Sequence, residues 1–188
     1  MKNNFYLTTT IPYVNGEPHI GHALEFVQAD VICRFHRLIG DNVYFNTGSD
    51  EHGLKQYQKA TEEGKTVKAY VDFYAERLKE FCKLFNISYD RFIRTTDPDH
   101  YKAAQTFWKA SEKNGDIYKK KYSGLYCVGC EEFKTEKDLI DGKCPNHGKV
   151  PIEYSEENYF FRFSKYQQQL LDLYKSNPEF TRPASKLQ

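Results

Sequence analysis

The chain has 188 residues, 27 of them basic and 26 acidic, for a formal net charge of +1. That balance excludes net charge as the driver of any nucleic-acid binding, although a local patch stays allowed. With 15 Tyr and 14 Phe the chain can build a sizeable core at 39% hydrophobic content, and no apolar run approaches a membrane span.

Residues 1–4 run straight into strand-like sequence, so neither a signal peptide nor an Arg-rich transit segment is expected, and a cytoplasmic location is. Five cysteines are present. Three crowd into one stretch, which favours metal over disulfide in a reducing compartment. Cys33 and Cys82 fall on helical patterns and read as small core residues.

In chain order, residues 5–10 are β-branched and aromatic and predict a strand. A turn over 12–18 follows, then a helix over 23–39, with Leu24, Val27, Val31, Phe35 and Leu38 as its apolar face and Gln28, Asp30, Arg34 and Arg37 on the other side. Gly40 suits a left-handed cap, and 43–46 predicts a second strand. Strand, helix and strand with a short return make a βαβ unit and so a parallel sheet. A short helix over 54–63 precedes a longer one capped by Thr66, with Val67, Val71, Tyr74, Leu78, Phe81 and Phe85 as its buried stripe. Residues 91–94 predict a third strand. Asp97-Pro98 opens another helix in the N-cap and N1 positions, packed through Tyr101, Ala104, Phe107 and Trp108. From about Asp116 the pattern turns to strand. Lys119-Lys120-Lys121 reads as a solvated face that could also meet RNA phosphate. Helix returns near Ser164.

Two polar loops carry the chemistry. In the first, His19 and His22 flank Gly21 at a helix start, where unpaired N–H groups and the helix dipole favour a phosphate. Gly21 lets a flat ligand approach the backbone. Such a pair could instead hold a metal or cap the helix, but a metal site wants more ligands than two. The second loop, Thr47-Gly48-Ser49-Asp50-Glu51-His52-Gly53, follows the second strand at the same sheet edge, where ligands of parallel α/β sheets bind. A carboxylate there suits a substrate ammonium.

Cys127-Val128-Gly129-Cys130 and, thirteen residues on, Cys144-Pro145-Asn146-His147 form two metal knuckles. Three thiolates and an imidazole complete a tetrahedral zinc shell without a vacant position, so Cys127, Cys130, Cys144 and His147 predict a structural Zn²⁺. That ion should supply much of the small module's folding free energy.

Ile11-Pro12-Tyr13-Val14-Asn15-Gly16, His19-Ile20-Gly21-His22, Gly48-Ser49-Asp50-Glu51-His52-Gly53, the two knuckles and Asn158-Tyr159-Phe160-Phe161-Arg162 together resemble the N-terminal part of the methionyl-tRNA synthetases, a family of class I aminoacyl-tRNA synthetases. The resemblance runs from residue 5 to about 183. It implies an α/β fold: the first half of a Rossmann-like parallel-sheet nucleotide-binding domain over 1–115, and an inserted zinc-knuckle connecting module over 116–188. It also implies ATP-dependent activation of methionine to methionyl-adenylate and transfer to tRNA(Met), with Mg²⁺ accompanying ATP. His19 and His22 would be catalytic and would bind ATP with Asn15 and Gly21. Ile11, Tyr13 and Asp50 would bind methionine. Glu51 and His52 carry over without a role. The family's Lys-Met-Ser-Lys-Ser loop and anticodon-binding domain do not occur in these residues, so the chain is expected to be a fragment, inactive alone. Two rival readings are a small nucleotidylyltransferase of the His-x-Gly-His superfamily and a non-catalytic, tRNA-binding zinc module.

Overall fold

The computed structural model describes residues 2–186, leaving aside the side chain of Ala184. Contacts divide the chain after Ala104 into two units.

The first unit contains β1 (Asn4–Thr8), α1 (Ile20–Leu38), β2 (Asn42–Ser49), α2 (Leu54–Glu62), α3 (Val67–Leu84), β3 (Arg91–Arg94) and the start of α4 (Pro98–Lys113). The strands form one parallel sheet in the order β1-β2-β3, with Asn4 opposite Asn42 and Asn46 opposite Arg91. This is the expected βαβ arrangement, continued by a second crossover through α2 and α3. Its main core joins Phe26, Ala29 and Cys33 of α1 to Phe45 of β2, to Leu78 and Cys82 of α3 and to Ile87 just beyond that helix. A second cluster gathers Val14, Ala60, Tyr70, Val71 and Ala75.

α1 turns a different face inward than the spacing predicts, whereas α3 departs from its expected stripe only at the two ends. Leu24, Val27, Val31, Phe35 and Leu38 of α1 are all exposed, while Ala23, Phe26, Ala29, Asp30 and Cys33 are buried. α1 carries two apolar arcs, and the one with small side chains packs inward because alanines and a cysteine permit close approach. Asp30, expected on the polar side, accepts from the Ser88 amide at 2.7 Å, the Ser88 hydroxyl at 2.5 Å and Arg34 Nε at 2.5 Å. Burial opposes its charge, but these donors outweigh it and lower its pKa. In α3, Val71 and Leu78 of the expected stripe are buried and Tyr74 and Phe81 pack half-buried on the two clusters, joined by buried Tyr70, Ala75 and Cys82, while Val67 and Phe85 are exposed. Cys33 and Cys82 are core residues, as expected.

The second unit holds the rest of α4, then β4 (Ile117–Cys127), β5 (Glu132–Lys134), β6 (Ile152–Phe161) and α5 (Gln167–Ser176). β4 pairs antiparallel with both β5 and β6. Tyr101, Ala104, Phe107 and Trp108 of α4 are exposed rather than packed. Trp108 meets the Tyr159 ring edge-on at 5.3 Å. Lys119 pairs with Glu157 across the strands at 2.8 Å, and Lys120 and Lys121 are exposed.

Asp116, only 3% exposed, ties the strand ends to the following helical turn. Its carboxylate accepts from Lys165 at 2.7 Å, Tyr166 at 2.5 Å and Asn114 at 2.6 Å. Its carbonyl accepts from the Arg162 amide at 2.7 Å. Lys165 first, then Tyr166, hold the carboxyl down at about 2. A carboxyl lowered on folding stabilises above its unfolded pKa of about 4 and loses that effect as pH falls through the folded value. The melting temperature of Asp116→Asn should therefore fall below that of the parent above about pH 4, with the gap closing as pH approaches about 2. A gap of constant size in thermal melts across that range would contradict this.

Candidate functional site: a two-histidine helix cap, an acidic loop and a metal centre

The start of α1 explains why its histidines stand three residues apart. His19 is the N-cap, with extended backbone, and its Nδ1 accepts from the Gly21 amide at 3.1 Å. His22, at the third helical position, returns the bond: its Nδ1 accepts from the His19 amide at 3.2 Å. This is a capping box built from imidazoles where Ser or Thr and Glu are usual. The rings stack with centroids 3.9 Å apart. Because each Nδ1 is an acceptor, each neutral ring carries its proton on Nε2. The cap therefore fixes both tautomers and leaves two Nε2–H donors at the positive end of a helix. Gly21 is needed for the rings themselves, since a Cβ there would lie 2.9 Å from His19 Cε1.

Burial, and then the charge of His19, lower the pKa of His22, while Glu25 pulls the other way. Glu25 is held in turn by the Thr10 amide at 2.6 Å and hydroxyl at 2.7 Å. A His pKa lowered on folding means that His22 is neutral, and the cap intact, above its ordinary range; both are lost as pH falls through the folded value.

The second loop docks on the first. The Asp50 amide donates to the Pro12 carbonyl at 2.9 Å, and the Val14 amide donates to the Asp50 carbonyl at 3.2 Å. Tyr13 and Asp50 thus form a parallel bridge. Gln56 Nε2 adds a bond to the Asp50 carbonyl at 3.3 Å. The Asp50 carboxylate is half-buried and accepts from the His52 amide at 3.3 Å. Ile11 is half-buried beside this bridge in sequence. Asn15 is exposed and lines an open cleft of about 200 Å³ with Lys55, Gln58, Lys59 and Glu62. Asn15 therefore borders α2, while the histidines occupy the start of α1.

The sequence reading missed the partners behind this loop. Glu51, 2% exposed, is bound by Arg94, Ser49 and Thr96. Arg94 and Thr96 lie more than forty positions away, and nothing in a single sequence signals that pairing.

In the second unit, the ligand atoms of Cys127, Cys130, Cys144 and His147 all lie within 4.8 Å of one another. Cys130 and Cys144 sulfurs are 3.5 Å apart, and His147 Nδ1 lies 3.3–3.9 Å from the three sulfurs. A tetrahedral ion with bonds of about 2.0–2.3 Å needs edges of about 3.5–3.8 Å, so the donor set fits a metal. The Cys130 amide holds the Cys127 thiol below its ordinary range. A Cβ on Gly129 would sit 2.5 Å from His147 Cγ, so only glycine clears the imidazole. Among the described residues this is the one group of three or more metal-type donors gathered so closely, and the histidine pair belongs to none.

Known proteins place the whole chain. Residues 5–150 match the family model described as tRNA synthetases class I (M). The chain belongs to the class I tRNA synthetases. It is 47% identical over 186 residues to a methionine–tRNA ligase of Caldanaerobacter subterraneus subsp. tengcongensis, covering 99% of this chain and 29% of that protein. It is 46% identical to the methionine–tRNA ligase of Clostridium acetobutylicum, again over 29% of that protein. The Mycobacterium tuberculosis methionyl-tRNA synthetase in complex with methionyl-adenylate superposes with a TM-score of 0.93 at 41% identity, covering 98% of this chain and 37% of the other. The chain thus spans roughly a third of the length of these class I synthetases. The motif resemblance and the α/β parallel-sheet class both agree with these matches.

Nitrogen-15 spectra at pH 7 should show His22 protonated on Nε2 and bare on Nδ1, titrating below 6.5. An Nδ1–H tautomer, or a pKa above that value, would contradict the cap.

Proposed function

We propose that this chain supplies the ATP- and methionine-binding part of a methionine–tRNA ligase: ATP-dependent activation of methionine to methionyl-adenylate, then transfer to tRNA(Met), in the cytoplasm. The observation that carries the reading is the imidazole cap at the start of α1, joined through residues 12–18 to the loop that holds Asp50. Support comes from relatives that are methionine–tRNA ligases, one of them solved with methionyl-adenylate. No helix among the described residues is long and apolar enough to cross a membrane. Residues 1–115 are read as the first half of the catalytic domain and 116–188 as the connecting insertion.

In the first step the methionine carboxylate oxygen attacks the α-phosphorus of ATP, and the bond to the pyrophosphate oxygen breaks. Negative charge builds on the phosphate oxygens, and the Nε2–H groups of His19 and His22 meet it together with the α1 dipole. The cap has already fixed both rings, so little reorganisation accompanies the charge. Gly21 lies under the adenine and Asn15 near the phosphates, with Mg²⁺ as the counter-ion of ATP. Ile11 and Tyr13 line the methionine side chain, and Asp50 takes its ammonium group. In the second step the 3′-terminal ribose hydroxyl of the tRNA attacks the activated carbonyl and AMP leaves. Cys127, Cys130, Cys144 and His147 would hold one Zn²⁺, which cross-links the knuckles and takes no part in the chemistry.

Replacing the matching segment of the Caldanaerobacter ligase with this chain should give methionine-dependent ATP–pyrophosphate exchange, whereas this chain alone should give none. In the graft, His19→Ala and His22→Ala should each lower the exchange rate by about 10²–10³-fold. Exchange driven by another acid would favour a different nucleotidylyltransferase, and tRNA binding without exchange would favour a non-catalytic module.

Metal analysis of the purified chain should find about one zinc per chain, and a chelator should unfold the second unit. Gly129→Ala should weaken zinc retention in competition with a chromogenic chelator. A folded second unit free of zinc would refute the site.

A further inference from the structure

The most heavily bonded carboxylate in the acidic loop belongs to Glu51, the neighbour of Asp50. Its side chain is wholly buried. Oε1 accepts from Ser49 Oγ at 2.7 Å and Arg94 Nε at 2.6 Å. Oε2 accepts from an Arg94 terminal nitrogen at 2.8 Å and Thr96 Oγ1 at 2.5 Å. The Glu51 amide donates to Thr95 Oγ1 at 2.8 Å. That same Arg94 nitrogen donates to Asp72 of α3 at 2.6 Å, and Lys68 pairs with Asp72 at 2.6 Å.

These bonds occupy all the ordinary acceptor directions of the Glu51 carboxylate. Arg94 also cancels its charge at contact distance. Glu51 is therefore a poor receptor for a ligand cation. Asp50 is the reverse: half-buried, its carboxylate accepting from the His52 amide at 3.3 Å and clamped by no arginine among the described residues. Its backbone is gripped by Pro12, Val14 and Gln56, and its position is further set by the peptide it shares with Glu51.

We propose that Glu51 is a positioning residue: clamped by Arg94, Ser49 and Thr96, it fixes the loop so that Asp50 presents its carboxylate to the ammonium group of the amino-acid substrate beside Tyr13. The clamp draws on the end of β2, the end of β3 and, through Asp72, on α3. Two neighbouring carboxylates thereby divide the work. One is taken up by its donors and held immobile, and the other is left open and placed. Fixing a receptor group on strand ends, rather than on a loose loop, removes the need to order it when the ligand arrives. The inference rests on the reading of Asp50 under Proposed function.

The test uses Glu51→Gln and Arg94→Lys, each made in the 188-residue chain and in the grafted ligase. In the graft, the KM for methionine should rise about tenfold or more, while the KM for ATP stays within about twofold and kcat falls less than methionine affinity. In the chain alone, the Asp50 and Val14 amides should exchange hydrogen faster, while the Phe45 amide in β2 keeps its protection. If either variant does not fold, Thr96→Val removes one of the four carboxylate bonds and should shift both readouts the same way, with a methionine KM rise of about threefold. Equal rises in both KM values, joint loss of protection at Phe45, or no change in either readout would each overturn the proposal. A parent graft without methionine-dependent exchange would instead refute the functional reading, and the amide measurements would still decide whether Glu51 places Asp50.

Discussion

The pair of backbone bonds between Asp50 and residues 12–14 holds the candidate site together. A parallel strand must be left by a crossover, so the loops after β1 and β2 emerge at the same sheet edge. Emergence alone would leave two mobile loops. The Asp50 amide bonded to Pro12, and the Val14 amide bonded back to Asp50, extend the β1–β2 pairing by one more bridge beyond the strands. The turn over 12–18 then has one end anchored on β2 and the other capped by His19. The capped end delivers the imidazoles, and the loop after β2, bridged to the other end, delivers the carboxylate.

The two units rest on different physics. The first buries a conventional cluster around Phe26, Phe45 and Leu78, fastened by Asp30 to Ser88. It also carries a buried ion pair, Glu51 with Arg94. Such a pair costs desolvation to form, and removing one partner typically costs about 3–5 kcal/mol because the other is left charged and unpaired. Its position beside Asp50 fits a role in placement better than a role in stability. In the second unit the buried side chains include Cys127, Cys144 and Asp116, and large rings such as Phe161 and Phe163 stay exposed. With so slight a core, the β4–β6 pairing, the Asp116 bonds and the four-ligand cluster carry the fold.

Much of this was legible in the sequence because it is local. Each element of the βαβ unit, the left-handed Gly40 and each single knuckle are set by residues a few positions apart. Spacing also found the histidine pair, though not its reciprocal cap, because Ser, Thr and Glu are the usual signals there. What failed was choice among faces. Helical period cannot decide which of two apolar arcs of α1 meets the sheet, and the larger residues (Leu24, Val31, Leu38) proved to be the exposed ones. What was invisible was pairing at a distance. Asp30 with Ser88, and Glu51 with Arg94, join residues that only the fold brings together.

The central claim is that the His19–His22 cap and the Asp50 loop form one amino-acid-activating site selective for methionine. The most direct measurement is hydroxylamine trapping of the activated product, by mass spectrometry, from the grafted ligase supplied with ATP and each of the common amino acids. Methionyl hydroxamate should dominate and should disappear with Asp50→Ala. Equal yields from several amino acids, or an undiminished yield without the Asp50 carboxylate, would contradict it.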